Sequence, residues 1–283
     1  MAQTVQQALQ SATKRLHNAG VDSAALDAAV LLEHVTGLDK TQRITCADKE
    51  LSDEENNTFK TLVHRREQHE PVAYITGKKE FWGFEFDTPK GVLIPRPDTE
   101  TLIAAVQAVT DPDSTATIAD VGVGSGAIIL TLLKLFPKWE GMGVDVSDTA
   151  LKTTAQNALN LEVEDRLHLF KGEWLAPITE AVDIIVSNPP YIPKSEVEGL
   201  MPDVQKFEPH TALDGGDDGL DAYRVLIPQT CGKLKKNGLL ALEVGAGQAP
   251  AVCDLLKQEK KWHNIQCIKD LAQIDRVVLA QRH

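Results

Sequence analysis

Residues 117–136 read TIADVGVGSGAIILTLLKLF. An apolar run of strand length ends in three glycines at alternate positions, Gly122, Gly124 and Gly126, and an apolar stretch of helix length follows. Without Cβ atoms these residues allow a tight strand-to-helix turn whose backbone a ligand can approach closely. The pattern predicts a βα unit that binds a nucleotide-like ligand. Taken alone it does not choose the ligand, because Gly122, Gly124 and Ala127 also fit the loose G-x-G-x-x-A dinucleotide pattern.

Downstream, short apolar runs recur at GMGVDV, LHLFKG, VDIIVSNP, GLLALEVG, HNIQCIKD and RVVLAQR. Helical stretches such as DTALKTTAQNALNL and APAVCDLLKQEKK lie between them. This alternation predicts parallel βαβ units and a doubly wound, Rossmann-like α/β sheet. Only DLAQID separates the last two runs, too little for a crossover helix, so they are expected to pair antiparallel at one edge.

Upstream the texture is helical. VQQALQSATKRLHNAG ends at Gly20, DSAALDAAVLLEHVTG ends at Gly37, and SDEENNTFKTLVHRREQHE sets Ser52 and Glu55 at capping-box spacing before Pro71. From Tyr74 the segment YITGKKEFWGFEFDTPKGVLI gathers aromatic and β-branched residues around glycines, which reads as a hairpin. The expected organisation is a helical domain over 1–73, a hairpin linker over 74–95 and an α/β domain over 96–283.

The 283 residues are 42% hydrophobic, enough for sizeable cores. No apolar stretch approaches the roughly 18 residues of a membrane span, and the N-terminus lacks a secretory apolar core, so a cytoplasmic protein is expected. Four cysteines without a CxxC or Cys/His cluster argue against a zinc site or a disulfide framework, and no metal is expected. A net charge of −12 disfavours binding to nucleic-acid phosphates.

Asp145 ends the second strand of the α/β region, where a carboxylate can accept hydrogen bonds from both hydroxyls of a ribose. It could instead cap the next helix, but Ser147 and Asp148 are better placed for that. The glycine turn and Asp145 together indicate a nucleoside cofactor.

SNPPYIP, residues 187–193, then puts Asn188 at the carboxyl end of the fourth strand, the ligand side of open α/β sheets. Pro189 and Pro190 carry no N–H, so the loop offers carbonyl acceptors and few donors, and each proline also restrains the residue before it. Asn188 Oδ1 and the Pro189 carbonyl can each take one hydrogen of a planar NH₂ group, and Tyr191 supplies a ring for stacking. That arrangement suits methylation of an amide or exocyclic amine nitrogen, held in line with a sulfonium methyl. A proline-stiffened turn with no ligand is the plain alternative.

These stretches together resemble the PrmC/HemK family of protein-(glutamine-N5) methyltransferases. The resemblance runs in order through YITGKKEFWGFEF, VLIPRPDTE, DVGVGSGAI, SNPPYIP, FEPHTALDGGDDGLDAYR, LLALEVGAGQ and DLAQIDRVVLAQR, and it extends to LDAAVLLEHVTG in the helical region. It implies S-adenosylmethionine as cofactor, S-adenosylhomocysteine as product and a class I peptide chain release factor as partner, methylated on the glutamine of its Gly-Gly-Gln loop. A monomer is expected. Carried onto this chain, the resemblance implies that Gly122, Val123, Gly124, Ser125 and Gly126 hold the cofactor. Asp145 would sit on its ribose and Trp174 beside its adenine. Asn188 would touch both cofactor and glutamine, and Asn188, Pro189, Pro190 and Tyr191 would grip the amide, with Asn188, Pro189 and Tyr191 carrying the catalysis.

Two positions depart from the family pattern. Asp98 stands where glutamate is usual and Val123 where threonine is frequent. FEPHTALDGGDDG reads equally as a loop at the substrate mouth or a solvated linker. NPPY alone is shared with adenine-N6 and cytosine-N4 nucleic-acid methyltransferases, which the negative charge and VLIPRPDTE disfavour. A nicotinamide oxidoreductase would leave NPPY without a role, and an idle binding protein would leave the whole set of site residues without one.

Overall fold

The computed structural model of the protein describes residues 3–283. The chain divides into two compact units, one running to Lys78 and including Met201–Phe207, the other comprising Lys79–Leu200 and Glu208–His283.

The first unit is helical: α1 (Val5–Asn18), α2 (Ala24–Thr36), α3 (Lys40–Thr45), α4 (Asp53–Glu67) and α5 (Val72–Thr76). Capping boxes start α1 (Thr4 with Gln7), α3 (Asp39 with Gln42) and α4 (Ser52 with Glu55), each satisfying two backbone donors at a helix start. Gly20 and Gly37 follow α1 and α2 at positive φ, as their sequence positions suggest. Leu16, Leu31, Leu32, Phe59 and Val63 close the core of this unit. Inside it Arg66, 6% exposed, donates from Nε to Asp27 Oδ2 at 2.7 Å.

Within residues 3–77, two helices escape the sequence reading. α3 buries no residue, so it carries no apolar periodicity. α5 occupies VAYIT, whose aromatic and β-branched residues suggest strand. Its residues Ala73, Tyr74 and Ile75 are buried, and Gly77 terminates it at φ 78°. The hairpin therefore begins later, with β1 (Lys78–Phe81) and β2 (Phe84–Asp87) joined by Trp82 and Gly83, both at positive φ as in a type I′ turn.

The rest of the chain follows as α6 (Glu100–Val109), β3 (Thr117–Val121), α7 (Ala127–Leu135), β4 (Glu140–Asp145), α8 (Asp148–Asn160), β5 (Leu167–Lys171) and β6 (Val182–Ser187). Short α9 (Lys194–Val197) and α10 (Pro202–Phe207) precede α11 (Asp221–Lys233), β7 (Leu234–Glu243), α12 (Ala249–Gln258), β8 (Trp262–Lys269) and β9 (Asp275–Arg282). α11 carries Pro228 in its interior, which breaks the helical signal in the sequence.

Seven strands form one sheet in the order β5-β4-β3-β6-β7-β9-β8. The first five are parallel, and β9 runs antiparallel to both β7 and β8. The expected antiparallel pair is present at the edge, with the later strand inserted on the inner side. Alternate residues face opposite cores: Ile118, Ile184 and Val186 pack with α7, while Ala119, Val121 and Ile185 pack with α11 and α12. Cys253 of α12 and Cys267 of β8, unrelated in sequence pattern, come to 3.2 Å between sulfurs as free thiols. No described helix is long and apolar enough to cross a membrane.

Removing Asp27 leaves the buried Arg66 guanidinium with only a longer ion pair to Asp203 at 3.7 Å and a hydrogen bond to the Glu70 carbonyl at 3.3 Å. Asp27→Ala is expected to destabilise the helical unit by about 3–5 kcal/mol, measured as an earlier transition in urea followed by circular dichroism.

Candidate active site

Strand order reverses between β3 and β6, and the crevice outside their carboxyl ends is where open α/β sheets bind ligands. A cavity of about 770 Å³ occupies this position. Val121 through Ser125 line it from the β3 turn, Asp145 from β4, Trp174 from the segment after β5, and Asn188 with Pro190 from the loop after β6.

The glycine turn is held from below. Gly126 has φ 83°, and a Cβ there would lie 2.7 Å from Leu130 Cδ1, so both backbone and packing require glycine. The Thr154 hydroxyl donates to the Gly124 carbonyl at 3.0 Å and Asn157 Nδ2 to the Ser125 carbonyl at 2.9 Å. Both donors belong to α8, which starts with Ser147 as its N-cap. Asp145 then ties the turn to β4: Oδ2 accepts the Gly124 N–H at 3.0 Å and Oδ1 the Ser147 N–H at 2.8 Å. Each oxygen retains lone-pair capacity at the cavity wall. Val123 is 5% exposed and packs beside Gly143, so an apolar side chain suits the place where threonine is frequent. Trp174 lines the cavity with φ 51°, a conformation that costs a non-glycine residue about 1–2 kcal/mol.

Asn188 is fixed by one contact, its Nδ2 donating to Thr99 Oγ1 at 3.2 Å. The Ser187 hydroxyl anchors the strand end to the Val121 carbonyl at 2.6 Å. Pro189 is buried and Tyr191 half-buried, and neither lines the cavity, so of the four loop residues the structure brings Asn188 and Pro190 to its wall. The Tyr191 hydroxyl turns inward, 3.4 Å from Glu243 Oε1, and burial beside Glu243 pushes its pKa well above the ordinary phenol value.

The loop is also clamped from the far side. Gln248 Nε2 donates to the Tyr191 carbonyl at 2.8 Å, Ile192 exchanges backbone hydrogen bonds with Leu213 and Gly215, and a Cβ on Gly219 would lie 2.3 Å from the Tyr191 carbonyl oxygen. Pro209, His210, Thr211, Ala212 and Asp214 line the same cavity, which favours the mouth-loop reading of this stretch over a solvated linker.

The segment RPDTE makes a hub in which each side chain with a polar group has its own partner. Arg96 pairs with buried Glu208, Asp98 with Arg276 at 3.1 Å, Thr99 with Asn188, and Glu100 accepts the Trp82 N–H at 2.9 Å. The shorter Asp98 thus still reaches a cationic partner. Sequence reasoning did not single out Thr99, Glu243 or Gln248. Glu243 alone carried a signal, a carboxylate inside the apolar run LLALEVG.

Two buried carboxyls lie beneath these loops. Asp120, near the end of β3, is fully buried, and burial first and nearby Asp145 after it push its pKa up to about 7 against the opposing pull of the Ile129 backbone N–H. Glu243, 1% exposed, rises to about 7, driven by burial and by Asp98 and opposed by Thr99, Arg276 and Tyr191.

The region 7–77 matches the PrmC N-terminal domain model and 97–202 the methyltransferase small domain model. A release factor glutamine methyltransferase of Caulobacter vibrioides is 39% identical over 100% of this chain and 98% of its own length. One from Moorella thermoacetica is 41% identical over 99% of each chain. Among solved structures, a 16S rRNA methyltransferase of Thermus thermophilus in complex with AdoMet and guanosine superposes with TM-score 0.53. It is 19% identical and covers 73% of this chain and 50% of that one, a likeness of fold.

A carboxyl whose folded pKa is raised stabilises the fold at low pH and loses that contribution as pH rises through the folded value. Asp120→Asn is therefore expected to flatten the fall in stability between about 4 and about 7 and to be more stable than the parent at higher pH. Urea midpoints across that range check it.

Proposed function

This chain belongs to the family of the release factor glutamine methyltransferases, and from that premise we propose that it methylates the side-chain amide nitrogen (N5) of the glutamine in the Gly-Gly-Gln loop of class I peptide chain release factors, using S-adenosylmethionine. The observation that carries this reading is the end-to-end likeness to those relatives, with Asn188 standing at the cavity wall beside the glycine turn.

The residues present fit the cofactor. A cavity of about 770 Å³ is within the roughly 300–1,000 Å³ range of small-ligand sites. Gly122 through Gly126 would hold it by their backbone, Asp145 would accept its ribose hydroxyls, and Trp174 would lie beside its adenine. Bound S-adenosylmethionine supplies an electrophilic methyl group on sulfonium, and S-adenosylhomocysteine is the product.

The protein's own part is to hold a weak nucleophile. Asn188 Oδ1, at the cavity wall, and the carbonyl of Pro189, which lies just behind that wall, would accept the two amide hydrogens, fixing the nitrogen and aiming its lone pair. Pro190 keeps the backbone of this loop from offering a competing N–H. Tyr191, set back from the cavity wall with its hydroxyl held at Glu243, would reach the amide plane only with the edge of its ring and otherwise backs the loop that grips it. No ionised base is needed before transfer, because the nitrogen becomes acidic only once methylated. The mouth loop around His210, which lines the cavity, would limit the access of water to the amide. With this substrate the protein works in the cytoplasm, as a monomer, and the net charge of −12 supports action on protein in preference to nucleic acid.

Labelled methyl transfer is expected to a purified class I release factor and not to its loop Gln→Ala variant or to duplex DNA; label on DNA or on the loop variant would overturn the reading. Asn188→Ala is expected to lower the single-turnover rate on the order of a hundred- to a thousandfold, as loss of a preorganised acceptor does. Asp145→Ala is expected to weaken cofactor binding roughly ten- to a hundredfold by calorimetry, the worth of hydrogen bonds to a charged group.

A further inference from the structure

The geometry points to Gln248 as a positioning residue for methyl transfer: its side-chain amide anchors the acceptor loop through the Tyr191 carbonyl and so sets where Asn188 Oδ1 and the Pro189 carbonyl stand. This inference rests on the glutamine-amide reading proposed above.

The prolines that shape the acceptor loop also make it hard to hold. Pro189 and Pro190 have no N–H, so neither can tie the loop to its surroundings as a donor. The Pro189 carbonyl cannot serve as an anchor if it is to accept a substrate hydrogen, and among the described residues nothing donates to it. The loop must therefore be fixed on either side of the prolines. Upstream, the Ser187 hydroxyl donates to the Val121 carbonyl at 2.6 Å. Downstream, the first backbone anchor is the Tyr191 carbonyl, which accepts from Gln248 Nε2 at 2.8 Å. Ile192 follows, its N–H on the Leu213 carbonyl at 3.0 Å and its carbonyl on the Gly215 N–H at 2.9 Å.

The anchor at Tyr191 calls for a primary amide. Gln248 Oε1 accepts the Gly245 N–H at 3.0 Å, while Nε2 donates to the Tyr191 carbonyl and, at 3.3 Å, to the Gly219 carbonyl. One acceptor and two donors are engaged together, a set that only asparagine and glutamine carry in one neutral planar group. With a donor on one side and two carbonyls on the other, the amide has a single satisfied orientation. Glycines close the space around it. A Cβ on Gly245 would lie 2.8 Å from Oε1, and one on Gly219 would collide with Nε2 and the Tyr191 carbonyl oxygen.

The base of this anchor is itself fixed. The Gln248 N–H donates to the Gly245 carbonyl at 3.0 Å, and the Gln248 carbonyl accepts the Val252 N–H at 3.1 Å as α12 begins. The turn continues β7, which pairs with β6 so that Leu242 stands beside Ser187. Acceptor loop and anchor thus grow from neighbouring strands. The end of β7 holds Tyr191 at its ring as well, with Glu243 Oε1 3.4 Å from the hydroxyl. Gly219, at the end of the mouth loop, shares the same amide. Gln248 does not line the cavity, so it acts on the substrate only through the loop. Misplacement of a reacting group by about 1 Å can cost on the order of a hundredfold in rate.

The test separates rate from binding. Gln248→Met keeps the length and removes every polar contact of the side chain, while Gln248→Glu keeps the Gly245 contact and turns lone pairs toward the two carbonyls. Both are expected to lower the single-turnover rate constant for methyl transfer to a release factor roughly ten- to a hundredfold. Calorimetry should show S-adenosylmethionine binding both variants with parental affinity and stoichiometry. A residue that only stabilised the fold would instead lower the bound fraction and leave the rate constant of the folded enzyme intact. In parent protein labelled with ¹⁵N-glutamine and free of substrate, the Gln248 side-chain hydrogens should exchange with water at least about tenfold more slowly than those of exposed Gln258.

A parental rate constant in either variant, or a loss of cofactor affinity as large as the loss of rate, would overturn the inference. Exchange at Gln248 as fast as at Gln258 would do so too, and this last measurement needs no variant to fold. Failure of the substrate reading looks different: the parent enzyme would transfer nothing to the release factor while the slow exchange at Gln248 remained.

Discussion

Everything at this site depends on the reversal of strand order between β3 and β6. Because those two strands are neighbours and their connections depart in opposite directions, their carboxyl ends open a crevice. The glycine turn hangs from one wall and Asn188 from the other, though Asn188 stands 62 positions after Gly126 in the chain. A methyl donor and an amide acceptor must meet within bonding distance, and a sheet backbone fixes that approach more rigidly than two free loops could. The Ser187 hydroxyl bond to the Val121 carbonyl joins the two strand ends directly beneath the crevice.

Rigidity here is bought with buried polar groups. Asp120 and Glu243 are carboxyls in apolar surroundings, and raising the Glu243 pKa from 4.5 to about 7 represents about 3 kcal/mol of lost stability once it is ionised. Trp174 adds a left-handed backbone at the cavity wall. The apolar cores on both faces of the sheet are extensive enough to carry these costs. A fold optimised for stability alone would have placed leucine or glutamine at such positions.

The sequence made the cofactor half of the site largely legible because its elements are local. Strand, glycines and helix stand in one continuous stretch, and Asp145 follows at the end of the next strand. Asn188 was legible for the same reason, since the paired prolines restrict the backbone beside it. Thr99 and Glu243 were not, because their role exists only through contacts with residues 89 and 52 positions away. The orientation of Tyr191 was half legible: its ring could be foreseen near the acceptor, but not its hydroxyl turned into the core. Among secondary elements, α5 shows burial overriding β propensity, and α11 shows a proline concealing a helix that the sheet requires.

The central claim is that this crevice methylates a glutamine side-chain amide on a release factor. Tandem mass spectrometry of a class I release factor, after incubation with the enzyme and S-adenosylmethionine, tests it most directly. The account predicts one added methyl group on the side-chain nitrogen of the Gly-Gly-Gln glutamine. A methyl group on a lysine, a terminus or any other residue, with that glutamine untouched, would contradict it.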